Sequence, residues 1–488
     1  MRLPQIIRLA GILALWFTAC SRPDLELDVL ARVGDRIITT QDFLFRAEYT
    51  PRPAYCRTNT PVSKTIILNS LIGEKLLSLA GDTIRLPAVV EATLQGRKEQ
   101  AMRAWLYHRH GTRAVRVDSA AIGQLADLMG RTYRLHYLSL PSDTAALWVL
   151  DQTLNRHRTL ADLYAEAYPG DTVPTKIIRW EDLNTRGLRD TLYSVPWHQG
   201  AILGPLVTGD QRYLVLEVAG WTERLAVTES QRQERWETAR RYLEDQAAQR
   251  AYESFAGEIM SGHRLEFQPE TFFRMARRAQ KLYLRSAQEK QQALQQSLWN
   301  LDAELQPPPS VQDLPEVGAE EIFFTLDGEP WTVGRYRELI RTHPLVFRSK
   351  NIPAGHFAEE FRDAVADLIR DYFLTQAAYR EGLDRHPSVV QNEAMWRDFY
   401  RAQWMKASLR QRKDPKLSDL RFFTAVIDSL QERYSDQIEI DVSKFNQLSI
   451  TGIPMMVTEQ YAPYPVVTPS FPQLTDDHRL NYGRRMNP

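Results

Sequence analysis

The chain has 488 residues, of which 43% are hydrophobic, so it is long enough for about three domains with buried cores. Lysine plus arginine and aspartate plus glutamate each number 61, and the formal net charge is zero. This balance excludes a strongly basic chain that would bind nucleic acid or an anionic membrane through its overall charge.

Residues 1–19 have the features of a bacterial lipoprotein signal peptide. Two arginines supply positive charge, and residues 9–17 form an apolar run that is too short to span a bilayer. The following Phe-Thr-Ala-Cys20 resembles a lipobox, in which Cys20 is lipidated and becomes the first residue of the mature chain. An ordinary signal peptide and a signal anchor are the alternatives. Two or more acyl chains on Cys20 would hold the chain on a membrane.

Residues 20–27 are expected to form a polar tether. If Cys20 is lipidated, Cys56 is the remaining thiol, so we expect no internal disulfide and a structural role for Cys56. Ser21 follows the lipidated cysteine and is compatible with sorting to the outer membrane. We therefore expect a lipid-anchored protein of the bacterial cell envelope that faces the periplasm, with the outer membrane favoured.

Residues 28–124 predict a helical module that begins with a hairpin. Residues 29–38 alternate around a Gly34-Asp35 turn, and Thr39-Thr40 then predicts a helix N-cap. Residues 63–79 carry apolar side chains at helical spacing, and residues 86–109 predict a further helix.

Residues 320–415 repeat this pattern, which indicates an internal duplication. Phe324–Thr332 again predicts a strand, an Asp-Gly turn and a threonine cap. Further along, Leu71-Ile72-x-Glu74 matches Leu368-Ile369-x-Asp371, and Val89-Val90 matches Val389-Val390. The alternative is a chance likeness between amphipathic helices.

The remaining flanks are also mainly helical. Residues 226–306 predict long helices over 229–261 and 264–305, and a proline-rich linker at 307–319 ends this region. Residues 416–488 predict a helix over 417–434, a short strand at 438–442 and an extended tail.

Residues 125–225 predict a small α+β domain, in which alternating strands at 133–140 and 211–218 enclose helical segments. This block resembles the parvulin-type peptidyl-prolyl isomerases. The resemblance rests on five segments in the order of that family: the strand with His136, the helix at Leu160–Ala165, Ile178-Arg179-Trp180, the Gly200–Val207 turn and the strand Tyr213–Val218.

With its flanks, the chain resembles the SurA, PrsA and PpiD class of envelope foldases over most of residues 28 to 415. The resemblance implies an α+β fold in which duplicated, mainly helical SurA-like chaperone modules flank a parvulin-like domain. It also implies binding of unfolded or nascent envelope polypeptides, with outer-membrane proteins as one candidate class. A parvulin domain can lower the barrier of roughly 18–20 kcal/mol to rotation of X-Pro bonds.

Of the family's catalytic positions, His136 is the one that this sequence matches. The positions where further site residues would fall carry other side chains: Tyr213 or Leu214 for a second histidine, Ser139 and Ser142 as the nearest polar residues, and Leu188, Leu192 and Trp197 as pocket candidates. We therefore expect a degenerate site with weak or no isomerase activity. An active parvulin-type isomerase and a structural subunit of an envelope assembly are the alternatives.

We expect no cofactor, no metal site and no nucleic-acid partner. His108 and His110 lie two residues apart, which puts them on different faces of a helix, and no cysteine or carboxylate cluster joins them.

Overall fold

The structure is a computed structural model that describes residues 27–183, 186–208, 212–284, 317–348, 352–452, 464 and 466–486. It is an α+β fold in which helices predominate and the strands of the described residues form three small sheets. The predicted signal peptide at residues 1–19, Cys20, nearly all of the tether and residues 307–316 of the proline-rich linker lie outside the described residues.

The strands of the described residues are β1 (Val29–Val33), β2 (Arg36–Thr39), β3 (Arg131–Leu140), β4 (Thr175–Ile178), β5 (Ile202–Val207), β6 (Tyr213–Glu223), β7 (Leu265–Phe267), β8 (Ile322–Leu326), β9 (Glu329–Thr332), β10 (Ile438–Ile440) and β11 (Arg484–Arg485). The α-helices are α1 (Thr40–Glu48), α2 (Pro61–Ala80), α3 (Ala88–Tyr107), α4 (Ser119–Leu128), α5 (Asp143–Leu154), α6 (Leu160–Ala167), α7 (Arg186–Leu192), α8 (Glu229–Met260), α9 (Pro269–Tyr283), α10 (Val333–Thr342), α11 (Phe357–Arg380), α12 (Pro387–Arg410), α13 (Asp419–Arg433) and α14 (Val442–Gln447).

The chain divides into two compact units. Unit 1 consists of Met1–Leu86, Arg385–Met456 and Thr468–Pro488, and unit 2 consists of Pro87–Asp384 and Val457–Val467. Each predicted helical module, 28–124 and 320–415, is therefore shared between the two units. The reason is that the last long helix of each module packs outside its own module, as described below.

In unit 1, helix α2 lies at the centre of the core. It packs against α1, α12 and α13, and the sheet has the strand order β11-β10-β1-β2. Asn69 of α2 is fully buried, and its Nδ2 donates to the backbone oxygens of Asp477 (2.8 Å) and Arg479 (2.9 Å). Because a buried amide must be hydrogen-bonded, Asn69 fixes the C-terminal tail against this helix.

Two buried ionic clusters connect α2 to its neighbours. Arg46 of α1 binds the Glu74 carboxylate through both Nη atoms, at 2.9 and 2.7 Å, and both side chains are almost fully buried. Asp398 of α12 accepts from Ser78 Oγ (2.7 Å) and pairs with Lys75 Nζ at 2.8 Å. Arg36 Nε also lies 3.1 Å from Asp398 Oδ1, so three donors from β2 and α2 satisfy one buried carboxylate.

In unit 2, helix α3 packs against α10 and α11. Gly96 permits this close approach, because a Cβ at Gly96 would lie 1.9 Å from the backbone oxygen of Thr342. Arg103 of α3 is buried, and its Nη1 donates to Thr375 Oγ1 of α11 at 2.7 Å. Unit 2 also contains the sheets β4-β3-β6-β5 and β7-β8-β9.

The two repeats thus exchange their third helices. The long helix α2 of the first repeat binds α12 of the second, and the long helix α11 of the second repeat binds α3 of the first. The sequence match that aligns Glu74 with Asp371 also aligns Ser78 with Thr375. These two hydroxyls occupy equivalent places, and each contacts the helix contributed by the other repeat.

The predicted caps are confirmed in both repeats. Thr39 Oγ1 accepts from the backbone nitrogen of Asp42 at 3.0 Å, and Thr332 Oγ1 accepts from that of Arg335 at 3.2 Å. The hairpin turns before them use left-handed backbone, with φ of +61° at Gly34 and +83° at Gly328. These turns and caps set where the first helix of each repeat begins.

One predicted helix is wrong in its first part. The sequence predicts a helix over 264–305, but Leu265–Phe267 form strand β7, which pairs with β8, and helix α9 starts only at Pro269. Phe267 stacks at the edge of Phe323 and Phe324, so the strand is stabilised by aromatic contacts with a distant segment. Residues 285–305 of the predicted helix lie outside the described residues.

Replacing either of two helical glycines of unit 2 by alanine should change the thermal stability, in opposite directions. Gly96→Ala should lower the thermal stability of unit 2, because the new methyl group meets the backbone oxygen of Thr342 and overpacking costs about 1–3 kcal/mol. Gly257→Ala in α8 meets no atom within 4 Å and should stabilise by about 0.5–1 kcal/mol, since alanine favours helix. Thermal unfolding of both variants tests this; a harmless Gly96→Ala would contradict the packing.

The Asp398 cluster predicts a pH-dependent loss of stability in unit 1. Burial opposes ionisation of Asp398, but Lys75, the hydrogen bond from Ser78 and Arg36 outweigh it, so its pKa lies below the ordinary 3.8. Because the pKa of Asp398 is lower in the folded than in the unfolded chain, its ionised carboxylate stabilises the fold at a pH above the unfolded-state pKa. This stabilisation is lost as the pH falls through the folded-state pKa.

Asp398→Asn should therefore cost about 3–5 kcal/mol at pH 7, because it leaves Lys75 buried without its charged partner. The difference from wild type should narrow as the pH falls below 3.8. Hydrogen exchange of the α2 amides at pH 7 and pH 3 measures both quantities. An equal cost at the two pH values would show that the carboxylate charge does not stabilise α12 on α2.

Candidate binding site beside the central sheet

The central sheet of unit 2 covers most of the block that resembles parvulins. Its strand order is β4-β3-β6-β5, and all neighbouring strands are antiparallel. One face packs against α4, α7 and α8 in a core that includes Tyr133, Leu135 and Trp180. The other face packs against α5 and α6 in a smaller core that includes Leu138 and Leu140. The two faces therefore present two separate environments.

His136 lies on the face that α5 and α6 cover. Side chains alternate along a strand, so His136 shares the face of Leu138. Its cross-strand neighbour is Glu217, whose carboxylate accepts from the backbone nitrogen of Leu160 at 2.8 Å and so caps α6. The Nδ1 atom of His136 is buried, and it has no hydrogen-bond partner among the described residues.

The other predicted pocket residues lie on the opposite face. Leu192 is fully buried in the core with Trp180, and Leu188 and Trp197 pack against the same core. The sheet therefore separates His136 from all three of them. The structure does not assemble these residues into one site.

The polar residues that follow His136 have structural contacts. Ser139 Oγ accepts from Arg212 Nε at 2.7 Å, and Ser142 Oγ caps α5 by accepting from the backbone nitrogen of Ala145. Tyr213 packs on the His136 face, whereas Leu214 packs on the other. None of these side chains supplies a second histidine or a thiol opposite His136.

A cavity of about 240 Å³ lies on the face away from His136. It is formed by α4, the 3₁₀ turn Trp180–Asp182, α7 with the residues after it, and α8. Its lining combines apolar and aromatic side chains with a few polar ones: Ala121, Gln124, Leu125, Leu128, Trp180, Arg189, Asp190, Tyr193, Ser194, Tyr242, Leu243 and Gln246.

Three aromatic rings form one wall of this cavity. The ring of Trp180 lies edge-to-face with those of Tyr193 (5.1 Å) and Tyr242 (4.9 Å). The Arg189 guanidinium lies 4.8 Å from the centre of the Trp180 ring and donates to the backbone oxygen of Leu183. Edge-to-face rings and cation–π contacts stabilise this wall.

The wall of the cavity combines aromatic rings with polar side chains. Burial raises the pKa of the Tyr193 hydroxyl well above its ordinary value, so Tyr193 stays neutral. The Tyr242 hydroxyl donates to the Asp190 carboxylate. Gln124, Ser194 and Gln246 are further polar groups of the lining that could bond to a peptide backbone.

The size of the cavity decides what it can hold. Small-molecule and cofactor sites usually measure about 300–1,000 Å³. At about 240 Å³, this cavity is smaller than that range and suits one bulky side chain or a proline ring with its neighbouring backbone. The arrangement can bind a polypeptide side chain, and it offers no nucleophile with an adjacent general base.

Among the described residues, no group of three or more histidine, cysteine or carboxylate side chains could hold a metal ion. His110 stacks on Phe255 at 3.8 Å, and its Nε2 lies 2.7 Å from Glu381. No helix of the described residues is long and apolar enough to cross a membrane.

The chain matches no protein-family model, and no curated protein or solved structure shows significant similarity to it.

The sequence analysis did not predict this cavity. Trp180 belongs to a segment that resembles a parvulin strand, and Leu243 falls in the predicted helix over 229–261, but neither was predicted to line a site. Arg189, Asp190 and Tyr193 were missed, because residues 180–200 have no clear hydrophobic period. The cluster of Trp180, Tyr193 and Trp197 within 18 residues was the available signal.

The cavity predicts binding of a small aromatic probe. N-acetyl-phenylalaninamide should bind with a dissociation constant of about 1 mM or weaker, as expected for a fragment that buries one ring. Ala121→Trp should abolish this binding by filling the mouth, since Ala121 lines the cavity. Ala120→Trp is the matched control, because Ala120 is an exposed neighbour on α4 that does not line the cavity. Ligand-observed NMR measures both; equal binding by the two variants would exclude the cavity.

Proposed function

We propose that this chain is a lipid-anchored envelope chaperone that holds segments of unfolded polypeptide and has little or no prolyl isomerase activity. The observation that carries the proposal is the aromatic cavity, whose volume fits one side chain of a client. The resemblance to parvulin-type foldases supports a polypeptide as the ligand. The anchor at Cys20 and the periplasmic location remain predictions from the sequence.

The edge of the central sheet supports the same proposal. Strand β4 is an edge strand, and Ile177 on it is 63% exposed. An extended polypeptide can add to such an edge through its backbone hydrogen bonds. Trp180 of the cavity follows β4 by two residues, so the edge strand and the cavity are close in the sequence.

Exposed apolar side chains on α5 offer further contact area. Leu147, Trp148 and Leu154 are each more than half exposed. Leu147 and Leu154 are seven residues apart and so share a face of α5, and Trp148 lies next to Leu147 in the sequence. An exposed group of large apolar side chains marks an interaction surface in a folded protein.

The position of His136 is the reason for proposing weak or absent isomerase activity. Catalysis of X-Pro rotation would need a slot for the proline ring beside polar groups that accept a twisted amide. The cavity and His136 lie on opposite faces of the sheet. The unpartnered Nδ1 of His136 is the observation that favours an active isomerase as the second candidate.

The full-length protein should bind a reduced, carboxymethylated client that cannot refold. Ala121→Trp should weaken this binding at least about fivefold, which corresponds to about 1 kcal/mol, and Ala120→Trp should leave it unchanged. Fluorescence anisotropy of the labelled client gives the affinities. A client that binds both variants as tightly as wild type would exclude the cavity as the binding site.

The same protein separates the two candidate activities. In a protease-coupled assay with an Ala-Pro-Phe peptide, it should give no acceleration of cis-trans isomerisation. Acceleration that disappears with His136→Ala would overturn the proposal of an inert domain and establish the isomerase.

A further inference from the structure

Tyr464 connects the C-terminal part of the chain to helices of unit 2. Tyr464, Val466 and Val467 belong to unit 2, whereas the described residues 385–452 and 468–486 on either side of them in the sequence belong to unit 1. Tyr464 contacts α3, α8 and α11 through its ring and hydroxyl. It lies 212 residues from Tyr252 in the sequence, so a distant segment fills a place between these helices.

The surroundings of Tyr464 match the chemistry of a tyrosine side chain. The Arg103 guanidinium lies 5.5 Å from the centre of the Tyr464 ring. The Tyr252 ring meets it edge-to-face at 6.2 Å, and the two hydroxyls are 3.0 Å apart. The Tyr464 hydroxyl also donates to Asp371 Oδ1 at 3.4 Å. We call Arg103, Tyr107, Tyr252 and Asp371 the tyrosine socket.

The socket residues also have contacts that do not involve Tyr464. Arg103 donates to Thr375 at 2.7 Å, and its Nε lies 3.6 Å from Asp371 Oδ2. Tyr252 packs edge-on against Tyr107 at 5.2 Å. Arg103 and Tyr252 are each 5% exposed. Side chains that other contacts already hold lose little entropy when an aromatic ring binds them.

The buried polar groups make the socket selective for tyrosine over phenylalanine. Burial, with a contribution from Asp371, raises the pKa of Tyr464 well above its ordinary value, so the phenol stays protonated and donates. A phenylalanine would leave the Tyr252 hydroxyl and the Asp371 carboxylate without this partner. Sites that hydrogen-bond a hydroxyl group discriminate strongly against ligands that lack it.

The sequence around Tyr464 is typical of an extended polypeptide segment. Residues 461–467 read Tyr-Ala-Pro-Tyr-Pro-Val-Val, which is rich in aromatic, proline and β-branched residues. Such a stretch favours extended backbone, since the residue before a proline avoids the helical region. The socket therefore already accepts the side chain of a tyrosine that precedes a proline.

We propose that the tyrosine socket is a second polypeptide-binding site, which Tyr464 fills in cis and which a tyrosine of a bound client fills in its place. This inference rests on the proposed function, since it assigns a side-chain preference to the clients. Because Tyr464 is part of the same chain, it competes for the socket at an effective concentration that can reach about 1 mM. It would therefore exclude weak ligands, whereas a client that binds at several sites at once would displace it.

The test uses the full-length protein and a fluorescent peptide with the sequence of residues 461–467. Tyr464→Ala should bind this peptide at least about tenfold more tightly than wild type, because the tethered competitor is gone. Tyr464→Phe retains the competing ring and should give a smaller gain. Adding Arg103→Leu to Tyr464→Ala should remove the gain, as should replacing the central tyrosine of the peptide by alanine.

The results distinguish a client-binding site from a purely structural contact of Tyr464. Equal peptide binding by wild type and Tyr464→Ala, together with lower thermal stability of the variant, would show that Tyr464 is a structural contact and overturn the inference. If Tyr464→Ala does not fold, Tyr464→Leu keeps apolar bulk and is expected to show the same gain.

The unfolded client is measured in the same experiment. Loss of client binding by Ala121→Trp with no peptide gain in Tyr464→Ala would uphold the proposed function and reject the socket. A peptide gain without any binding of unfolded client would reject the proposed function, and with it the clients that the socket is proposed to serve.

Discussion

The buried carboxylate of Asp398 is the contact on which unit 1 most depends. It belongs to α12 of the second repeat, yet its partners Arg36, Lys75 and Ser78 come from β2 and α2 of the first. A buried charge is tolerated only when it is paired and hydrogen-bonded, so this cluster accepts one helix in one register. In unit 2 the corresponding contact joins Arg103 of α3 to Thr375, which occupies on α11 the place that Ser78 occupies on α2. Each repeat is completed by the other, which explains why neither predicted module is a compact unit alone.

The local features of both repeats could be predicted from sequence. The threonine caps follow from N-cap chemistry, the hairpin turns from Gly and Asp, and α2 from its apolar spacing. The exchange of third helices could not be predicted. An apolar stripe shows that a helix is buried, but it does not identify the helix that buries it. Gly96 and Asp398 carry that information only when their partners are known. Strand β7 was missed because three residues give too short a pattern to detect.

In the central sheet, the strands could be predicted from sequence but the site could not. Apolar and polar side chains alternate along β3 and β6, and this alternation fixes the face of the sheet on which His136 lies. The sequence did not show that Leu188, Leu192 and Trp197 pack on the other face, because that depends on how α7 crosses the sheet. The cavity depends on four separate segments, and its aromatic wall forms only when α8 brings Tyr242 to Trp180. The resulting cavity combines aromatic rings with polar side chains, and His136 lies outside it.

The most direct measurement of this account is site-specific photo-crosslinking to an unfolded client. The photoreactive residue p-benzoylphenylalanine replaces Ser194 at the cavity or Gln233, an exposed residue of α8 that does not line it. Gln233 is about 20 Å along α8 from Gln246 of the cavity, at 1.5 Å per residue. The account predicts that the client crosslinks at position 194, that it does not at 233, and that Ala121→Trp removes the crosslink. Equal crosslinking at both positions, unaffected by Ala121→Trp, would contradict a polypeptide-binding site in the cavity.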